Sequence, residues 1–163
     1  MQEKEYHTVD KTGWPTGVWQ TEPDKIQFTD SETGYPCLIV RNHSGALCGY
    51  VGVTEGHPCF MQSHDDYWQL DVHGGLTFSG ACSPKGGESH GICHQPDEGE
   101  PHNVWWLGFD CAHGGDLRPE YEIFLTLSRL SYGDNAVYRD VPYVKGQIAE
   151  LARQLKTMEP AKL

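Results

Sequence analysis

The chain has 163 residues, of which 37% are hydrophobic and 11% aromatic, and this composition is typical of a single globular domain rather than of a disordered chain. The 12 basic and 23 acidic residues give a formal net charge of −11, which argues against a nucleic-acid polymer as partner. No apolar run suits a membrane span or a secretory signal, so we expect a cytoplasmic protein whose six cysteines are free thiols.

The N-terminal region is predicted to be an arm that packs on the body of the domain. Residues 1–20 are polar and rich in turn formers, and the indoles of Trp14 and Trp19 are its natural points of attachment. Three β-like runs separated by turn residues follow at 26–28, 37–41 and 47–53. They predict a β-meander, and the glycines of the third run indicate a bulge or a close approach of another backbone.

The second half of the chain alternates strand-like runs with irregular segments. Further strand-like runs lie at residues 67–72, 76–78 and 104–109. Residues 83–101 are rich in Gly, Pro and charge, which predicts a long loop that we interpret as a lid. The run at 121–127 fits a helix and a strand equally well.

A C-terminal helix is predicted over residues 140–158. Asp140 can cap its first turn, and apolar residues follow with helical spacing to form a single stripe. Together these elements predict an α+β fold, in which an antiparallel, meander-rich sheet carries the helix on one face and gathers the loops at one edge.

Two related segments attract attention, His73-Gly74-Gly75 and His113-Gly114-Gly115-Asp116, whose histidines lie 113 − 73 = 40 residues apart. Glycine pairs permit positive φ and a close approach to the main chain, so a ligand can reach backbone N–H groups beside an imidazole. We therefore expect Gly74, Gly75, Gly114 and Gly115 to bind a ligand.

The residue types in these segments suit a divalent metal ion. A catalytic zinc site uses three nitrogen, sulfur or carboxylate ligands and keeps a fourth position open. His73, His113 and Asp116 provide that number, and zinc is the metal that we expect. Asp110 or Asp71 would then orient an imidazole or accept a proton from bound water.

Two other residues are candidate ligand-binding groups. His57 follows the third β-like run and would reach the same pocket from a strand end, although a turn histidine is the more ordinary interpretation. Arg41, like Arg129 and Arg139, is a natural clamp for an anion in a chain with few bases, although each is more often part of a surface ion pair.

The cysteines leave two alternatives open. Cys82, Cys93, His94 and Cys111 could form a structural zinc site, but their spacing lacks the short Cys-x-x-Cys knuckle. Cys93 or Cys111 beside a histidine could also be a nucleophile, because an adjacent imidazolium lowers the pKa of a thiol.

A wider set of motifs resembles hypothetical proteins that are frequent in phages, prophages and environmental bacteria. The motifs are residues 34–41, 48–53, 56–58, 72–78, 91–94, 108–116 and 138–140, together with the terminal helix. The resemblance implies a small phage-associated protein with a polar pocket, and proteins of that kind often act on nucleotides or host defence signals.

The sequence thus supports three hypotheses. The first is a metal-dependent hydrolase of a small, nucleotide-like or phosphorylated substrate. The second is a binding protein that sequesters such a ligand without turnover. The third is a host-interaction factor, which predicts that the two His-Gly-Gly segments lie far apart in space.

Overall fold

A computed structural model of the protein describes residues 1–83, 85–121 and 135–161. Its strands are β1 (Lys4–Tyr6), β2 (Lys25–Thr29), β3 (Pro36–Arg41), β4 (Leu47–Val53), β5 (Phe78–Ala81) and β6 (Trp105–Asp110). They form one sheet in the order β1-β2-β3-β4-β6-β5, and every neighbouring pair is antiparallel. The helix α1 (Val141–Met158) packs on β4 and β3, so the predicted α+β architecture is confirmed.

The predicted meander is formed by β2, β3 and β4. Strand β4 lies inside the sheet, and all its residues are buried. Its register with β6 is continuous, so Gly49 creates no bulge. A Cβ on Gly49 would lie 2.5 Å from Cζ of Phe109 and one on Gly52 would lie 2.4 Å from Cγ1 of Val104, so these glycines make room for side chains.

Helix α1 follows the predicted pattern. The Asp140 carboxylate accepts a hydrogen bond of 3.0 Å from the N–H of Tyr143 and caps the first turn. The apolar stripe on the sheet side is completely buried and consists of Val144, Ile148, Leu151 and Leu155. These residues join the larger of two hydrophobic clusters, whereas the opposite face of the sheet carries the smaller one. No helix in the described part of the chain has the length and apolarity of a membrane span.

Residues 67–72 do not form the predicted strand. The segment starts with a 3-10 helix at His64–Tyr67, whose first turn is capped by the Ser63 side chain, and continues as an irregular loop. Leu70 and Val72 are buried while Gln69 and Asp71 are exposed, so the alternating pattern is real but belongs to a loop. Of the run at 76–78, only the last residue joins a strand.

The N-terminal arm packs as predicted, because Trp14 and Trp19 are both buried. It also contributes β1 to the edge of the sheet, which the polar sequence of the arm does not indicate. The run at 121–127 lies outside the described residues beyond Tyr121, as does Arg129.

The long loop lies on the face of the sheet opposite to helix α1. Lys25 donates a hydrogen bond of 2.8 Å to the carbonyl of Cys93, and Gln27 accepts one of 2.8 Å from the N–H of Gln95. Both side chains point from β2 towards the smaller cluster, so the described residues of the loop cover that face and do not close over the His-Gly-Gly segments.

The prediction of six free thiols is wrong for one pair. Cys82, just before this loop, forms a disulfide with Cys93 inside it, and their Cα atoms are 4.8 Å apart. Pairing removes both residues from the alternative zinc site. The other four cysteines are free and buried.

Candidate functional site

The second His-Gly-Gly segment forms a tight turn immediately after β6. The N–H of Asp116 donates a hydrogen bond of 3.0 Å to the carbonyl of His113, and Gly115 adopts a φ of 91° that favours glycine. Val137 then donates to the carbonyl of Gly115 at 2.9 Å. The turn is thus held by one hydrogen bond within it and one from Val137, and the side chains of His113 and Asp116 project from it.

Asp116 is the buried centre of the site, with 3% of its surface exposed. One carboxylate oxygen, Oδ2, accepts hydrogen bonds from Nε2 of His73 at 2.8 Å and from the backbone N–H of His113 at 3.0 Å. The other, Oδ1, accepts one from Nε of Arg139 at 3.0 Å. Burial raises the pKa of Asp116, but these hydrogen bonds outweigh it and bring the pKa below its ordinary value.

His73 is held by helix α1 as well as by Asp116. Its Nδ1 lies 2.8 Å from the hydroxyl of Tyr143, and its backbone N–H donates to Oε1 of Gln147 at 2.8 Å. Tyr143 and Gln147 are one helical turn apart and therefore face the same side. The partners assign the tautomer: Nε2 carries the proton that Asp116 accepts, and Nδ1 accepts from the Tyr143 hydroxyl.

His113 has a ring nitrogen that no described residue satisfies. Its Nδ1 is buried without a hydrogen-bond partner and lies 3.6 Å from both Oδ1 of Asp110 and Oδ2 of Asp116. The ring packs against that of His73, with centroids 5.6 Å apart. An unpaired buried polar atom is costly, so a nitrogen in this position indicates a missing partner.

Gly74 determines where the His113 ring can lie. A Cβ at this position would be 2.2 Å from Cε1 of His113, so only glycine allows the ring to pack here. The sequence suggested that Gly74 admits a ligand to the backbone, whereas the structure uses it to admit an imidazole.

The structure therefore brings the three predicted metal ligands together. One potential ligand atom from each of His73, His113 and Asp116 lies within 4.8 Å of the other two. The host-interaction hypothesis expected the two segments to be far apart, and the ring separation of 5.6 Å contradicts that expectation.

The two predicted proton carriers differ in placement. Asp110, the last residue of β6, lies beside His113. The exposed Asp71 carboxylate makes no hydrogen bond with a described residue, and its backbone is bound to the side chain of Gln154. Asp110 is therefore the better candidate for proton transfer.

The remaining glycines differ in what they offer a ligand. The N–H of Gly75 already donates to the carbonyl of Val72 at 2.9 Å. Gly114 and Gly115 are exposed, and their N–H groups have no acceptor among the described residues. Ligand binding by the backbone remains a prediction for these two residues.

His57 and Arg41 lie away from the cluster in structural positions. Nδ1 of His57 accepts from the N–H of Cys59 at 3.0 Å, and Nε2 donates to the carbonyl of Leu155 at 2.9 Å. Both ring nitrogens have hydrogen-bond partners within the protein, so His57 is a structural turn histidine and has no free nitrogen for a ligand.

Arg41 is buried among acceptors that occupy its guanidinium. It donates to Asp24 at 2.7 Å and to the Tyr138 hydroxyl at 2.8 Å, and it also bonds backbone carbonyls. The Tyr138 hydroxyl donates in turn to Glu22, whose other oxygen accepts from the first N–H of helix α1. Arg41 therefore fixes the chain next to Arg139, and its side chain is completely buried, out of reach of a ligand.

The thiol alternatives find no support. Cys93 is in the disulfide, and Cys111 is buried with 2% of its surface exposed. Burial raises the pKa of the Cys111 thiol, which is the opposite of what a nucleophile needs.

No protein-family model matches the chain, and no curated protein or solved structure is significantly similar to it. The fold and the site therefore define its class by themselves: an α+β protein with a His-His-Asp cluster formed by the loops before β5 and after β6.

Proposed function

We propose that His73, His113 and Asp116 bind a divalent metal ion, most naturally zinc, and that the protein is a metal-dependent hydrolase of a small substrate. The observation that carries the proposal is that one ligand atom from each of the three residues lies within 4.8 Å of the other two. In addition, Nδ1 of His113 is buried and has no hydrogen-bond partner among the described residues. Two imidazoles and one carboxylate are a donor set of catalytic zinc sites.

The distances fit such an ion. Ligands that bind zinc tetrahedrally at about 2.0–2.2 Å lie roughly 3.3–3.6 Å from one another. The separations from Oδ2 of Asp116 are 2.8 Å to Nε2 of His73 and 3.6 Å to Nδ1 of His113, and the ligand nitrogens of the two imidazoles lie within 4.8 Å of each other. If His73 holds the metal through Nε2, its proton would move to Nδ1, which would then donate to the Tyr143 hydroxyl and keep the ring oriented.

The chemistry follows from the number of ligands. Three protein ligands would leave one position for water, and a zinc ion held there would supply the chemistry of lowering the pKa of that water to about 7. Asp110 lies beside His113 and is placed to take up a proton from this region. A non-catalytic ligand-binding role is the alternative, and the exposed N–H groups of Gly114 and Gly115 favour it.

The test begins with the metal content of the purified protein and of its His113→Ala variant. Because the side chain of His113 makes no hydrogen bond with a described residue, we expect this variant to keep the fold but to lose stoichiometric zinc. His7→Ala, which alters an exposed histidine of the arm, is the matched control and should keep zinc.

A wild-type protein that binds no divalent metal after zinc loading would contradict the metal centre. A protein that binds zinc but turns over no member of a library of nucleotides and other metabolites would favour the binding role instead.

A further inference from the structure

We propose that Arg139 is the anion-binding residue of this site and that the substrate is a phosphate ester. The inference rests on the proposed metal-dependent hydrolase and specifies its substrate class. It also gives a role to Arg139, which forms a hydrogen bond with the proposed metal ligand Asp116.

Asp116 connects the guanidinium to the metal ligands. Its Oδ1 accepts from Nε of Arg139 at 3.0 Å, while its Oδ2 faces His73 and His113. A single buried carboxylate therefore places a positive charge next to the cluster. The same contact fixes the direction of the side chain, because Nε can donate along only one line.

Tyr143 holds the guanidinium from a second side. The guanidinium carbon lies 4.8 Å from the centre of the Tyr143 ring, a cation–π distance, and the hydroxyl of the same ring bonds His73. The residues on either side of Arg139 are also anchored, since the half-buried Tyr138 hydroxyl accepts from Arg41 and the Asp140 carboxylate caps helix α1. Arg139 is thus held in place before any ligand arrives.

Among the described residues, nothing accepts a hydrogen bond from the ends of this side chain. The two Nη groups of Arg139 have no acceptor among the described residues, and 27% of the side chain is exposed. Arg41 and Arg153, in contrast, direct their terminal groups at protein acceptors. Two parallel N–H donors form a fork that matches a phosphate or carboxylate.

A phosphoryl group fits this arrangement better than a carboxylate. It has enough terminal oxygens for one to face the metal while two accept from the guanidinium fork. The net charge of −11 repels anions at a distance, so a fixed local cation is needed to hold such a substrate. For a phosphate monoester, water adds to phosphorus, the bond to the ester oxygen breaks with its electron pair, and that oxygen takes up a proton given up by the water, so that the products are an alcohol and inorganic phosphate.

The experiment compares Arg139→Gln and Arg139→Lys with the wild type. The probes are inorganic phosphate, titrated by calorimetry, and p-nitrophenyl phosphate, followed by its hydrolysis. Zinc content and thermal unfolding are measured for each protein. Arg153→Gln, on the outer surface of helix α1, is the control.

We expect Arg139→Gln to keep zinc and its fold but to bind phosphate at least about tenfold more weakly, as the loss of a charged hydrogen bond implies. Arg139→Lys should lie between, and Arg153→Gln should equal the wild type. Unchanged phosphate affinity in Arg139→Gln would overturn the proposal, and so would acetate binding that depends on Arg139 as strongly as phosphate binding does. Phosphate is also titrated into the metal-free wild type and the metal-free Arg139→Gln variant. Metal-free binding that is weaker in Arg139→Gln supports Arg139 even if the metal centre fails, whereas equal metal-free binding counts against Arg139.

Discussion

The sharpest prediction concerns Gly74, which touches the proposed metal centre only through the space that it leaves. In Gly74→Ala the new Cβ would lie 2.2 Å from Cε1 of His113 and 2.5 Å from both ring nitrogens. Ordinary contacts between carbon atoms are about 3.5–4.0 Å, so the ring has to move by more than about 1 Å. Zinc–ligand bonds tolerate about 0.2 Å, so the displaced imidazole can no longer serve as a ligand.

We therefore expect Gly74→Ala to bind zinc at least about 100-fold more weakly, which exceeds the loss usual for residues that only support a ligand. Zinc affinity is measured by competition with a chromophoric chelator. The substitution also places alanine at a φ of 67° and should lower the free energy of unfolding by about 1–2 kcal/mol.

Alanine substitutions at two neighbouring glycines distinguish the steric clash with His113 from the backbone strain of a positive φ. Gly75 has a φ of 81° but nothing within 4 Å of a Cβ, so Gly75→Ala should be destabilised and still bind zinc. Gly114 has neither a positive φ nor a nearby atom, so Gly114→Ala should resemble the wild type in both measurements. If Gly74→Ala binds zinc as tightly as Gly114→Ala, the packing argument for His113 is refuted.

Three further predictions follow from other contacts. Tyr143→Phe should weaken zinc binding by about 10–100-fold in the chelator assay, because it removes the hydroxyl that orients His73, and an unchanged affinity would contradict that role. Replacing Cys82 and Cys93 together by serine should lower the free energy of unfolding in urea by up to about 3 kcal/mol, while zinc content should stay the same because the loop covers the other face. Burial lowers the pKa of Lys25 from 10.5 to about 8, so the unfolded chain holds more protons between these pH values, and the wild type should gain stability relative to Lys25→Met as the pH rises from 8 to 10.5. A stability difference that does not change with pH would contradict the burial of that ammonium group.

The parts of the fold that the sequence predicts are those with a local pattern. Helix α1 has a cap and a regular apolar stripe, and the meander has three β-like runs divided by turns, so both are visible in a single sequence. Strand β1 has only three residues in a polar arm, and its place depends on pairing with β2. Residues 67–72 mislead because burial of alternate residues occurs in a loop as well as in a strand.

In the candidate site, too, residues with a local sequence pattern are predicted and residues that act through distant contacts are missed. The three proposed metal ligands are predicted from the repeated His-Gly-Gly pattern and the aspartate after it. Tyr143 and Gln147 are missed because their contacts with His73 join residues 70 and 74 positions apart. On the helix both look like ordinary polar positions beside the apolar stripe, and only the packing of the helix on the sheet gives them a partner.

The two segments therefore depend on each other in a way that their similarity does not suggest. Asp116 of the second segment binds the imidazole of His73 in the first, and Gly74 of the first makes room for the imidazole of His113 in the second. Each segment thus positions the histidine of the other. A substitution in either segment is expected to affect both histidines, so the effects of paired substitutions across the segments should not be additive.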